Sequence, residues 1–482
     1  VATPIPANQA PFDARSVATA TGGTLAREPK GVAGGRGLTT DSRAVTPGSC
    51  FVALRGHNHD GHAYLDAAMA AGANLVVVER GRAPREGGAG VVEVDDTLAA
   101  WGALARVHLR AWRSSRGDAR VVGITGSAGK TTTKELCAAL LAGTGECHAT
   151  PGNLNNRVGL PAVAFGVEPR HRFAVLEMGM SVTGEIAALA AIAEPDVGII
   201  TNVGLAHAGG VGGTIAAVAR EKGALFAALG PTGIAVANAD DRAVMEQAGA
   251  RGTSPVVTFG RHEGASVRLV RRTALGAEGS RVHVVRGDQE SAFVLPLPGE
   301  ASAIDFAAAL AAAEAATGER FSDRRVAAAL RTLAPIAGRM QPRRLRDGVL
   351  VLDDAYNANP ASMRAALATL GEFTADRRVA VIGEMKELGP EAEAEHDAIG
   401  EAAVRAGVRL MVTCGGLADV TGRAAERHGV EVVFAGGAAE AARQVLERLR
   451  PRDVVLVKAS RSVGAERVVE ALAGARGIEE PP

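Results

Sequence analysis

Residues 121–135, VVGITGSAGKTTTKE, decide how the chain is read. A run of branched apolar residues gives way to small and hydroxylated ones. Lys130 and three threonines then open a stretch that continues as ELCAALLAG. The order is that of a strand, a tight turn and a helix. Such a turn offers backbone N–H groups and a helix N-terminus to an anion, above all phosphate. Lys130 adds a point charge, and Thr131 a hydroxyl placed to ligate Mg²⁺. The general pattern G-x-x-x-x-G-K-[ST] asks for glycine at 124, where this chain has Ile124. Its working end, Gly129-Lys130-Thr131, is intact.

The composition sets the frame around this stretch. At 482 residues, with about 150 residues per domain, the chain is expected to form about three domains. Apolar residues make up 47% and aromatics only 3%, so the cores must be built from Ala, Val and Leu. The 53 basic residues balance 53 acidic ones, which argues against nucleic-acid or membrane-surface binding. Cys50, Cys137, Cys147 and Cys414 lie far apart with no CxxC spacing, which fits a reducing compartment and not a zinc or disulfide framework. The stretch VATPIPANQAPFDAR does not read as a signal peptide. The longest uncharged run, Gly223 to Ala239, is broken by Gly230-Pro231 and falls short of a membrane span. A cytoplasmic protein is expected.

Three regions follow. In 1–115, CFVAL and ANLVVVE read as strands around a helix HAYLDAAMAAGA, and a helical TLAAWGALARVHLRAW runs into the polar linker SSRGDA. In 116–336, continuous apolar strands alternate with helices, the pattern of a parallel sheet covered on both faces. Within it, residues 266–297 change to apolar–polar alternation, which predicts a small antiparallel addition. In 337–482 the α/β rhythm restarts as a Rossmann-like domain, without a G-x-G-x-x-G after its strands. The expected fold class is therefore α/β throughout.

Ligands of open parallel sheets bind at the carboxyl ends of strands. Glu177 follows FAVL and His207 follows VGIITNVGLA, so both are candidates to face a phosphate held by residues 126–131. Each taken alone also reads as a solvated loop carboxylate or a turn histidine; together beside a phosphate loop they suggest Mg²⁺ ligation. Lys222, in AREKGALF, reads from its surroundings as an exposed helix lysine. Two Asn-rich stretches stand out, TPGNLNNRVGLP (150–161) and DDAYNANPASM (353–363). Asn359 and Pro360 suit a helix start. Capping leaves Asp354, Tyr356 and Asn357 without a structural task.

TGSAGKTTTKE, NLNNRVGLP, LEMGM with GEI, TNVGLAH and AREKGALF occur here in the order found in the Mur ligases, and the resemblance covers nearly the whole chain. TTDSRAVTPGSCFVALRGHNHDGH (39–62) resembles the UDP-substrate domain of the third and fourth ligases of that series. DDAYNANPASM, GEMKELG and VKASRS resemble the fourth. The resemblance implies a UDP-substrate domain, a central P-loop ATPase-like domain and the Rossmann-like domain. It implies ATP-dependent joining of D-alanyl-D-alanine to UDP-N-acetylmuramoyl-tripeptide through an acyl phosphate, in cytoplasmic peptidoglycan precursor synthesis, by a monomer. It assigns Lys130, Glu177, His207 and Lys222 to catalysis. Thr125, Gly126, Ser127, Ala128, Gly129, Lys130, Thr131, Thr132, Asp305, Arg339, Asp354, Asn357 and Asn359 fall to ATP. Thr131, Glu177, His207 and Lys222 fall to two Mg²⁺ ions, the lysine as a carbamate. Asp41, Ser42, Arg43, Asn155 and Asn156 fall to the UDP-linked substrate. Asp305 stands where the family commonly has Asn; as a carboxylate it accepts a hydrogen bond from adenine and donates none. The competing readings are the preceding ligase, which adds a diamino acid to the dipeptide, the more distant folylpolyglutamate synthase, and a nucleotide-binding protein without ligase chemistry.

Overall fold

A computed structural model describes residues 3–56, 59–205 and 208–479. The strand at Arg120–Thr125 lies inside a nine-stranded sheet, flanked by Val197–Ile200 and His171–Glu177. All three run parallel, and their register sets Glu177 opposite Ile124 and Ile200 opposite Thr125. The carboxyl ends of the three strands therefore meet at one edge, where Gly126–Gly129 turns into the helix Lys130–Ala142.

Both faces of this sheet are covered. The helix Glu300–Thr317 is more than half Ala, with Phe306 and Leu310, and most of its residues are buried, as suits an apolar helix. It packs against the loop helix and the sheet in one core. On the opposite face, Glu185–Ala193, Ile215–Ala227 and the long helix Thr97–Ser115 share a core with the first region. Asp96 caps the long helix by accepting from Leu98 and Ala99 N–H. Its Trp101 is fully buried, packs on Phe165 at 4.7 Å between ring centroids and donates to Val158 O at 2.9 Å.

The first region is a five-stranded sheet in the order Thr24–Arg27, Gly90–Val94, Leu75–Glu79, Cys50–Val52, Leu38–Thr39. The last region is a six-stranded sheet in which Leu350–Asp353, Asp453–Lys458, Arg377–Ile382, Val408–Cys414 and Glu431–Ala435 are parallel. Gln341–Arg344 adds an antiparallel edge.

The expected antiparallel addition is present as Val267–Ala274, Ser280–Arg286 and Gln289–Leu295, but it continues the central sheet. Phe259 pairs with Val267 in parallel and carries the ladder across. These strands also reach the last region: Ala277 packs on its core, and Arg272 bridges Glu300 and Glu372.

Trp101→Ala removes a fully buried ring at the junction of the first two regions. It is expected to lower stability by about 3–5 kcal/mol, measured by urea unfolding with circular dichroism.

Candidate active site

The loop at 126–129 takes its shape from glycine. Gly126 has φ of 155°, and a Cβ there would lie 1.8 Å from Thr201 Oγ1. Gly129 has φ of 82°, and its Cβ would lie 2.2 Å from Asp305 Oδ1. No side chain fits at either position without moving its neighbours. The loop is braced from Thr201 and Asn202, which follow the adjacent strand. Thr201 Oγ1 donates to Ala128 O at 2.6 Å, and Asn202 Oδ1 accepts from Ala128 N–H at 2.9 Å. Ser127 Oγ exchanges hydrogen bonds with Gly204 N and O.

A cavity of about 290 Å³ opens between this loop and the strand ends of the last sheet. Ser127, Ala128, Gly129, Lys130, Thr132 and Asp305 line it from the central side. Arg339, Asp354, Asn357 and Asn359 line it from the other, so ten of the thirteen residues expected at ATP share one space. Thr125 does not: its hydroxyl donates to Met178 O at 2.9 Å and holds two strand ends together. Lys130 Nζ donates back to Gly126 O at 2.8 Å. Burial lowers its pKa, with Glu177 opposing and Arg339 reinforcing.

Thr131 faces away from the cavity. Its hydroxyl donates to Glu177 Oε2 at 3.0 Å and accepts from Arg339 Nη2 at 3.1 Å. Asn155 Nδ2 donates to Glu177 Oε1 at 2.8 Å. A hydroxyl and a carboxylate in contact beside a phosphate loop are hard oxygen donors of the kind Mg²⁺ takes, its other positions being filled by water and phosphate. Among the described residues, no group of three or more His, Cys, Asp or Glu side chains could hold a metal by itself. His207 lies outside the described residues.

Lys222 is not the exposed helix lysine that its neighbours suggested: it is 1% exposed. Burial pushes its pKa well below the ordinary lysine value, the Lys130 charge adds to this, and Glu221 opposes it. Glu221 instead spends its oxygens on Gly184 and Ile186 N–H, fixing the start of the helix Glu185–Ala193.

Asn359 does two things. Its side chain forms a capping box with Ser362 at the start of Pro360–Glu372. Its Nδ2 also donates to Ser127 O at 3.0 Å, across to the phosphate loop. Asp354 accepts from Met340 N–H at 3.0 Å and from Lys458 Nζ at 2.6 Å. Asn357 Oδ1 is turned onto Ala358 N–H. Asn156 caps the turn before Gly159–Ala164 by accepting from Val158 and Gly159 N–H, and its neighbour Asn155 is the one that reaches Glu177. Asp41 and Arg43 pair with each other beside Ser42, after the strand Leu38–Thr39. None of Asp41, Ser42 and Arg43 lines the cavity.

Reading the sequence missed Lys458, Thr201 and Asn202. Lys458 is buried at a strand end, donates to Asp354 and to Asn357 O, and lines the cavity. The signal available was its place: a lysine closing the apolar run DVVLVK.

Asp305 corrects an expectation. Burial pushes its carboxyl up to about 8, against the opposing charge of Arg339. With its proton retained at neutral pH the carboxyl is able to donate a hydrogen bond as well as accept one, as Asn is. The unfolded carboxyl loses its proton near 3.8 while the folded one keeps it to about 8. Across that window the folded state binds the extra proton, so stability falls as pH rises and levels off above it. Asp305→Asn abolishes this slope, which is of order 1 kcal/mol per pH unit at most. Its stability gain over the parent should grow from acid to mildly alkaline pH, as followed by thermal unfolding over that range.

Three family models match the chain: "Mur ligase family, catalytic domain" at residues 36–108, "Mur ligase middle domain" at 124–313, and "Mur ligase, glutamate ligase domain" at 338–461. The chain is 36% identical over 436 residues to the UDP-N-acetylmuramoyl-tripeptide–D-alanyl-D-alanine ligase of Escherichia coli, covering 90% of this chain and 93% of that one. It is 38% identical over 474 residues to the enzyme of that name from Mycobacterium tuberculosis, covering 90% and 91%. Among solved structures, MurF from Acinetobacter baumannii superposes with a TM-score of 0.86 at 27% identity, covering 97% of this chain and all of that one. MurF ligase from Thermotoga maritima in complex with ADP superposes with a TM-score of 0.78 at 28% identity, covering 91% and 97%.

Proposed function

The chain belongs to the Mur ligase family, and we propose that it joins D-alanyl-D-alanine to UDP-N-acetylmuramoyl-tripeptide, converting ATP to ADP and phosphate. The observation that carries the reading is the cavity between the phosphate loop and the Asp354–Asn359 strand end, lined by charged groups from two sheets. The relatives named for this reaction align along nine-tenths of the chain, which supports the same substrates here.

Two anions must be brought together, the γ-phosphate and the free carboxylate of the tripeptide, so the protein's task is positioning and charge neutralisation. Lys130 and the N–H groups of the loop and helix start that Asn202 does not already take hold the phosphates. Arg339 and Lys458 add positive charge on the far wall of the cavity. A carboxylate oxygen attacks the γ-phosphorus, ADP leaves, and an acyl phosphate remains. The amine of D-alanyl-D-alanine then attacks the carbonyl carbon, loses a proton, and phosphate leaves as the amide forms. Thr131 and Glu177 would hold one Mg²⁺, which when bound neutralises the charge building on the transferred phosphoryl group. His207 and Lys222 are assigned to a second. Lys222 is buried with its pKa lowered, and a carbamate formed from CO₂ and its neutral amine, with release of a proton, would give that position an oxygen donor. Closure of the last sheet over the nucleotide keeps water from the acyl phosphate. Among the described residues no helix is long and apolar enough to cross a membrane, and UDP-linked substrates support a cytoplasmic enzyme.

Phosphate release from ATP with Mg²⁺ is expected only when UDP-N-acetylmuramoyl-tripeptide and D-alanyl-D-alanine are both present. Release with the UDP-linked dipeptide and a diamino acid instead would move the chain to the preceding ligase; release with neither pair would favour a binding protein. Lys130→Ala should lower kcat by at least about a hundredfold. ¹³C-labelled bicarbonate should give a carbamate resonance in the parent protein that Lys222→Arg lacks.

A further inference from the structure

Three lysines are buried to within 1% of full exclusion, and the scheme above uses two of them, Lys222 and Lys458. The third, Lys134, has no part in it. A buried ammonium is costly unless its hydrogen bonds are satisfied, so its partners say what it holds. Lys134 lies one helical turn beyond Lys130 and Thr131, on the same side of the loop helix. Its Nζ donates to Thr150 O at 2.5 Å and pairs with Glu135 Oε1 at 2.5 Å.

Thr150 is itself 1% exposed and tied in three ways. Its N–H donates to Val175 O at 3.0 Å, and its carbonyl takes Lys134. Its hydroxyl accepts from Glu177 N–H at 2.9 Å. Thr150 also begins the loop that delivers Asn155, which holds Glu177 through Nδ2 on Oε1 and the turn after it through its carbonyl, which accepts from Gly179 N–H at 2.8 Å. A closed circuit results. It runs from Thr131 down the helix to Lys134, across to Thr150, along to Glu177, and back to Thr131 through the 3.0 Å carboxylate–hydroxyl contact.

We propose that Lys134 is a positioning residue for the cation-holding pair Thr131–Glu177, fixing the distance between helix and strand end through Thr150. The inference rests on the ligase reading only for the identity of the cation. A lysine suits the task because it spans the gap with a flexible stem and delivers a charge-assisted bond to a carbonyl that neutral donors would hold less firmly. Outer partners of metal-holding groups commonly set metal affinity by about 10- to 100-fold.

The test is binding of Mn²⁺·ADP, followed by the electron paramagnetic resonance of Mn²⁺, beside binding of ADP in EDTA by calorimetry. Lys134→Met should weaken Mn²⁺ binding about 10- to 100-fold and leave ADP binding in EDTA unchanged, because the loop N–H groups do not depend on the circuit. Thr150→Val keeps the buried cation, removes only the acceptor of Glu177 N–H, and should shift Mn²⁺ in the same direction; it carries the test if Lys134→Met does not fold. The two changes combined should cost less than the sum of each. Lys134→Arg should recover part of the affinity. Equal weakening with and without metal would mean that Lys134 merely supports the loop, and unchanged Mn²⁺ binding in both single variants would equally overturn the proposal. A parent protein that fails to bind Mn²⁺·ADP at all would instead count against the ligase reading.

Discussion

Positive charge with little water around it is the constraint on which the rest of this molecule turns. Lys130 and Lys134 lie in the helix that follows a strand of the central sheet, Lys222 in a helix packed beside it and Lys458 at a strand end of the last sheet, and three of the four are almost wholly excluded from solvent. Removing an ammonium from water costs several kcal/mol even after relaxation. Lys458 recovers this through Asp354 and a carbonyl, Lys134 through Thr150 and Glu135. Lys130 has a carbonyl of its own loop and the charge of Glu177, while burial and the charge of Lys130 push Lys222 towards its neutral amine. Lys130, held only by a loop carbonyl and a carboxylate charge, is the less compensated cation at the phosphate loop, so positive charge stands ready where anions are to arrive.

Much of this was legible in the sequence. Strand, turn and helix at 121–135, the acid at 177 and the change of period after 266 follow from local chemistry, and each has its counterpart in the fold. What could not be read has a common physical cause. The edge strands Glu146–Ala149 and Gln341–Arg344 are short and largely polar, ECHA and QPRR, so periodicity says nothing of them. Lys458 gains its partner only because the sheet sets Asp453–Lys458 beside Leu350–Asp353, over a hundred residues earlier. Lys222 looked exposed because two charged neighbours precede it; its burial is decided by helices packing from elsewhere. Asp305 looked like a lost donor, and burial restores the proton that residue type alone denies it.

Two groups of contacts between the central and last regions differ in place. Arg339 on Thr131 and Asn359 on Ser127 are made at the phosphate loop itself. Arg272 on Glu372, with Ala277 against the distant core, is made by the antiparallel strands well along the sheet. The extension of the sheet thus serves as an outrigger. It gives the last region a second support remote from the chemistry, so that the groups at the loop are free to be exchanged for ligand.

Asn359 caps a helix of one region with its oxygen and holds the loop of another with its nitrogen. The same amide thereby joins two folding units that each have a complete core. Thermodynamic linkage follows: an occupant of the shared cavity stabilises both units at once by an amount set by its concentration over its dissociation constant. Without it, the units are coupled through a few polar contacts and the packing of Ala277 on the distant core. With it, heat absorption should merge into a single cooperative event, so the shape of the calorimetric trace, and not only its midpoint, reports whether the nucleotide is home.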